Sequence, residues 1–185
     1  EAAALLDRLI GSRKVLILGS TMQGEDEALL PHVERFVRER DAFVIIAPRK
    51  PERFDLVAAL LSTTSLPFLR RSELRDDSPA ANVLLLDSFG ELARMYRYAS
   101  AAFVGGTLEP FGGHNPIEPA AAGVPVAFGP SMSNFREIAG VFLANDAAVQ
   151  VQSADQVIEF AENVFDDDVL RLKLGSRARE TVLQN

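Results

Sequence analysis

The sequence predicts an α/β domain built on a doubly wound parallel sheet. Three observations carry that prediction. Short apolar runs recur along the 185-residue chain. They are continuously apolar rather than alternating, which is the pattern of strands covered on both faces. Between them lie stretches whose apolar residues recur at helical spacing, which implies right-handed strand–helix–strand units.

Taken in order, VLILGS (15–20) is the first strand, and EDEALLPHVERFVRER (25–40) the helix after it. Leu29, Leu30, Val33, Phe36 and Val37 form its apolar stripe. Pro31 requires either a first-turn position or a tolerated kink. FVIIAP (43–48) is a second strand, followed by a helix over ERFDLVAALLS (52–62). PFLRR (67–71) is a weaker strand, and SELRDDSPAAN (72–82) a polar loop. VLLLD (83–87) and AAFVGG (101–106) are strands, with a helix over ELARMYRYA (91–99) between them. VPVAFG (124–129) is a strand and AAVQV (147–151) a weaker one, separated by a helix over NFREIAGVFLA (134–144). SADQVIEFAENVF opens at Ser153 with Gln156 three residues on, a capping-box pattern. DDVLRLKLGSRARETVL (167–183) reads as a helix pair or as one helix interrupted near Gly175.

Composition narrows the chemistry. The formal charge of −7 argues against general nucleic-acid binding, which wants a basic footprint. With no cysteine, disulfides, thiolate catalysis and Cys-type zinc sites are excluded. His32 and His114 are the only histidines, so a multi-His metal site is not expected. No apolar run reaches the roughly 18 residues of a membrane span, and no signal peptide is visible. The absence of an initial methionine suggests a piece of something longer. Nothing divides the 185 residues, which suit one domain.

In open α/β sheets ligands bind beyond the carboxyl ends of the strands, so the loops there hold the candidates. After the first strand, Ser20 and Thr21 offer hydroxyls to an anion; the same loop also reads as a plain helix entry. After the second, Arg49 stands between Pro48 and Lys50-Pro51, rigid flanks that suit a guanidinium aimed at a phosphate; a solvated Arg-Lys pair is the plainer reading. DSFGEL (87–92) puts Phe89, Gly90 and Glu91 at a helix start, where backbone N–H groups can hold a phosphate or a nucleobase edge. Asp87 or Ser88 as an ordinary cap explains that stretch equally.

GGHNPIEPAAAG (112–123) is the most informative stretch. Asn115 as cap, Pro116 at the first helical position and Glu118 closing a capping box would contribute about 1–2 kcal/mol. That leaves the glycines at 105, 106, 112 and 113 and the adjoining His114 without a reason. A carboxylate in the first helical turn can instead accept two hydrogen bonds from a vicinal diol such as a ribose. Asn134, with Glu137 three residues on, reads as a structural cap of the following helix.

Read together, PRKPERF, DSFGEL, AFVGGTL, GGHNPIEPAAAGVPVAFGP and NFREIA stand in the order of one family. From Gly19 onward the chain resembles the C-terminal half of a 3-deoxy-D-manno-octulosonic acid (Kdo) transferase of lipopolysaccharide synthesis. The resemblance implies a Rossmann-like fold, the C-terminal half of a GT-B glycosyltransferase. It implies that residues 1–185 form one domain binding the CMP part of the donor CMP-Kdo. The acceptor domain, the general base, the lipid A precursor acceptor and the contact with the cytoplasmic face of the inner membrane would all belong to another half. By this resemblance Pro48 and Arg49 meet the nucleotide, with Arg49 on its phosphate. Phe89, Gly90 and Glu91 line the cytidine, and Asn115, Pro116, Ile117 and Glu118 hold the ribose. Ser20, Thr21 and His114 approach the phosphate or the sugar. No metal and no cofactor is implied. One departure is Lys50, where the family often has histidine. Two alternatives stay open: the donor domain of a UDP-sugar GT-B transferase or epimerase, and a non-catalytic nucleotide-binding module.

Overall fold

A computed structural model describes residues 2–185. Seven parallel strands form one sheet: β1 (Val15–Thr21), β2 (Phe43–Pro48), β3 (Phe68–Arg70), β4 (Val83–Leu85), β5 (Ala101–Val104), β6 (Val126–Phe128) and β7 (Val149–Gln150). Their spatial order is β3-β4-β2-β1-β5-β6-β7. The chain winds outward in one direction from β1 through β2 and in the other from β5 through β7. The turning point lies between β1 and β5, paired from Leu16↔Ala101 to Gly19↔Val104.

Among the described residues eight α-helices cover the sheet: α1 (Ala2–Ile10), α2 (Glu25–Arg40), α3 (Phe54–Ser62), α4 (Leu92–Met95), α5 (Ile117–Ala121), α6 (Arg136–Ala144), α7 (Ala154–Asp166) and α8 (Asp168–Gln184). Successive strand residues serve opposite faces. Leu16, Leu18, Val44 and Ile46 pack with α2, α3 and α7. Val15, Ile17, Phe43 and Ile45 pack with α1 and with Met95 and Tyr96. Val104, Val126 and Phe128 pack with α6 and α8. Both faces of the central strands are therefore dry, which is why those segments are continuously apolar.

Several local expectations are corrected. Of the two possibilities open for Pro31, the first-turn position falls away: it lies well inside α2, which tolerates it. The helix expected over 91–99 is one turn, Leu92–Met95, followed by a tighter 3₁₀ turn over Tyr96–Tyr98. Ser153 caps α7 through the Gln156 N–H at 3.3 Å, but the Gln156 side chain accepts from Gln152 N–H at 2.8 Å, so the box is displaced by one residue. α8 is a single unbroken helix. Gly175 does not interrupt it: a Cβ there would collide with the Gly123 carbonyl, so glycine is what lets α8 lie against the turn after α5. Asn134 does not cap α6. Its side-chain amide donates to the carbonyls of Phe111 (3.3 Å) and Gly113 (3.4 Å), and its backbone N–H to Gly112 O (2.9 Å), pinning the 111–113 loop.

Candidate functional site

At the carboxyl ends of β1, β2, β4 and β5 the loops enclose a cavity of about 350 Å³, near the lower end of small-ligand sites, roughly 300–1,000 Å³. Together with Phe135 after β6, five chain segments from the sheet's two windings meet there, as the turning point of an open α/β sheet dictates.

From β2 come Pro48 and Arg49. The Arg49 backbone N–H donates to Thr21 O at 2.9 Å, which ties this loop to the one after β1. The next arginine, Arg53, is buried and paired with Asp26 and Glu27, both at 3.0 Å. Burial raises the Asp26 carboxyl above its usual range despite that pair. The Arg49 side chain, by contrast, is exposed at the cavity and has no carboxylate partner among the described residues. An unpaired, exposed guanidinium is free to meet a phosphate.

From β4 come Leu86, Ser88, Phe89 and Gly90. Two arginines, Arg70 at the end of β3 and Arg71 just after it, brace this loop. Arg70 reaches Asp87 at 2.8 Å, and Asp87 also accepts from the Ser72 N–H and hydroxyl at 2.9 and 2.6 Å. Burial alone would raise the Asp87 carboxyl, but the Ser72 hydrogen bonds and Arg70 together hold it below its usual range. Arg71 reaches Glu91 at 2.9 Å, and Ser88 donates its hydroxyl to the other Glu91 oxygen. Neither Asp87 nor Ser88 therefore serves as a helix cap. Phe89 is 69% exposed, and its ring lies 6.0 Å from that of Phe54, another cavity residue. Exposing a phenylalanine to water is unfavourable, and the pair offers a planar ligand an apolar, stackable wall.

From β5 come Val104, His114, Asn115 and Glu118. Asn115 Oδ1 accepts the Ile117 N–H at 3.0 Å, the local turn that starts α5. The expected capping box does not close: no hydrogen bond to Glu118's side chain exists among the described residues, and its exposed carboxylate is left for another partner. The His114 ring edge packs on Gly106, where a Cβ would come 2.8 Å from Nε2. That nitrogen is buried and unpartnered among the described residues. Burial, then the charge of Arg49, lowers the His114 pKa, so the imidazole is neutral at pH 7.

Eight of the twelve residues expected at the site line this one cavity: Ser20, Pro48, Arg49, Phe89, Gly90, His114, Asn115 and Glu118. Thr21, Glu91, Pro116 and Ile117 do not. Thr21 is fully buried, and the Glu91 carboxylate is spent on Arg71 and Ser88. Pro116 and Ile117 are packed at the start of α5 and set the position of their neighbours. Sequence reasoning missed Phe54 and Tyr96. Tyr96 is 3% exposed, and a Cβ on Gly19 would come 2.6 Å from its hydroxyl, so Gly19 makes room for it. Burial, then the nearby Glu118 charge, pushes the Tyr96 phenol up, which keeps it protonated and a donor. The signal for Tyr96 was present in its helical spacing from Leu92, but the same spacing suits any core residue.

No protein-family model matches the chain. It is 37% identical over 175 residues to a 3-deoxy-D-manno-octulosonic acid transferase of Haemophilus influenzae, a match covering 94% of this chain and 41% of that protein. With the protein of that name from Bordetella pertussis it shares 34% identity, over 90% of this chain and 40% of the relative. The chain thus spans 40–41% of the length of these two curated relatives. Among solved structures, the C-terminal CMP-Kdo binding domain of WaaA from Acinetobacter baumannii superposes with a TM-score of 0.91 at 33% identity, over 100% of this chain and 96% of that one. A glycosyltransferase from Rickettsia africae, at 16% identity and a TM-score of 0.66 over 95% of this chain and 44% of that one, shares the fold.

Proposed function

The chain belongs to the Kdo transferase family, and from that membership we propose that it holds the donor CMP-Kdo by its CMP part. The observation that supports this reading is the convergence of three unlike groups on one cavity. An unpaired guanidinium (Arg49), an exposed aromatic ring (Phe89) and an uncommitted carboxylate (Glu118) suit a phosphate, a nucleobase and a ribose diol in turn. Ser20, His114 and Asn115 lie within reach of the sugar-phosphate side of such a ligand. Thr21, Glu91, Pro116 and Ile117 support those residues from behind.

In the transfer reaction CMP departs with its phosphate charge, and Arg49 stabilises that charge without proton transfer. The attacking group of a lipid A precursor, the base that activates it and the attachment to the inner membrane come from the remainder of the enzyme. The chain's own part is to bind and orient the donor.

Titration calorimetry tests the reading. CMP binds in preference to UMP, and no heat with millimolar CMP overturns the assignment. A preference for UMP or UDP points instead to a UDP-sugar enzyme. Arg49→Ala and Glu118→Ala each weaken CMP by about 1.5–3 kcal/mol, the scale of a charged hydrogen bond.

A further inference from the structure

Glu25, the first residue of α2, is fully buried. No lysine or arginine pairs with it among the described residues. Its two carboxylate oxygens instead accept four backbone N–H groups. Oε2 accepts from Met22 at 2.9 Å and Gly106 at 2.7 Å; Oε1 accepts from Thr107 at 2.9 Å and Leu108 at 3.0 Å. A buried carboxylate is very unfavourable unless hydrogen-bonded, and here the backbone alone supplies the partners.

The placement of these donors matters more than their number. Met22 follows β1, and residues 106–108 follow β5. These neighbouring strands flank the turning point of the sheet, where an open α/β fold ordinarily receives its ligand. Successive N–H groups there form an anion-binding concavity. In this chain Glu25 fills that concavity with the protein's own anion. The nucleotide phosphate is left to Arg49 at the neighbouring strand.

The turn so fixed supports the cavity wall on both sides. Gly105 N–H donates to Gly19 O at 2.7 Å, and a Cβ on Gly105 would collide with the Ser20 carbonyl. Ser20 sits at a φ of 55°, a left-handed conformation that is uncommon for a residue other than glycine. Gly106 O accepts the Gly113 N–H at 2.8 Å, and Gly106 presents its bare Cα to the His114 ring. Thr107 donates its hydroxyl to Val104 O at 2.6 Å and accepts the Gly129 N–H at 2.8 Å.

We propose that Glu25 is a positioning residue of the donor site. By clamping the 106–108 turn to the loop after β1, it sets Ser20 and His114 at the cavity wall before ligand arrives. This inference rests on reading the cavity as the CMP site.

The test compares wild-type protein with Glu25→Gln, Glu25→Ala and, as a control remote from the cavity, Glu162→Gln, which loosens the Arg35 and Arg40 pairs between α2 and α7. Glu25→Gln presents an amide NH₂ where an acceptor is needed. It stays folded by circular dichroism and binds CMP about tenfold more weakly or worse, the scale of one or two lost hydrogen bonds. Glu25→Ala loses more, and formate, which refits the four donors, restores part of the affinity. Glu162→Gln leaves CMP affinity unchanged. Glu25→Gln binding CMP within about twofold of wild type, less than half a typical hydrogen bond, overturns the inference. So does a Glu25→Ala defect indifferent to formate; if that variant does not fold, Glu25→Gln decides. A wild type that ignores CMP sinks the functional reading instead. The clamp is then judged by amide exchange at Gly106, Thr107 and Leu108 and by the His114 ring resonances, which must change in Glu25→Gln.

Discussion

The two ends of the sheet carry cavities of nearly equal size, about 350 Å³ at the carboxyl rim and about 340 Å³ at the amino foot, yet they differ in the charged groups left unpaired. At the foot every cation is committed. Lys14 donates to Phe165 O at 2.6 Å and Asp168 at 2.8 Å. Arg40 pairs with Asp166 at 3.0 Å and Glu162 at 3.2 Å. Arg13 donates to the carbonyls of Ile10, Ala81 and Leu9 and lies 4.9 Å above the Phe43 ring. At the rim Arg49 and Glu118 are exposed and unpaired among the described residues. Volume is nearly the same; among the described residues the foot leaves one carboxylate, Asp41, unpaired and no cation, whereas the rim leaves both a cation and a carboxylate. A ligand gains little by displacing bonds already made, and much by satisfying groups left open.

That contrast can be broken most severely at Gly105. Gly105→Val drives a side chain into the Ser20 backbone and destabilises the fold by about 3 kcal/mol, as strong overpacking does, with CMP binding lost as well. Urea denaturation gives the first quantity and calorimetry the second. A fully stable valine variant would show that the rim is not tightly set.

The foot should respond on a smaller scale and without touching the ligand. Arg40→Ala costs about 1 kcal/mol, since Asp166 is largely exposed and Arg35 still holds the more buried Glu162. CMP affinity is unchanged. A weakened affinity would mean that the two ends are coupled.

The smallest effect sharpens the contrast through pH. The pKa of His114 is lowered on folding from its ordinary value of 6.5 by burial, then by Arg49. The unfolded chain thus binds this proton more readily. Stability from this group is level above pH 6.5 and falls as pH drops below it. Denaturant midpoints at pH 7 and pH 5 should therefore differ more in wild type than in His114→Asn, with all other titrations common to both. Equal differences would place His114 in an environment like water.

Much of this was legible in the sequence, for a physical reason. Strands dry on both faces leave continuous apolar runs, so β1, β2, β5 and β6 could be placed from composition alone. The edge strands β3 and β7 are short and half-exposed, and their runs were correspondingly weak. At the site, Arg49 and Glu118 announced themselves because each is a polar residue beside a proline that fixes the backbone around it. What escaped were interactions between distant segments. Glu25 reads as one more acid at a helix start, and only the fold shows that Gly106, Thr107 and Leu108 are its partners. Asn134 follows every rule for a helix cap, yet the 111–113 loop competes for its amide and wins. Gly175 breaks helical propensity locally, but Gly123 needs the space.

That bare contact between Gly175 and Gly123 has a mechanical reading. The turn at Gly123 closes α5, and α5 carries Glu118. With no side chain between the two glycines to yield, any shift of α8 presses directly on the turn that ends α5. The distance from the domain's outer helix to the exposed carboxylate of Glu118 is thereby bridged by backbone alone.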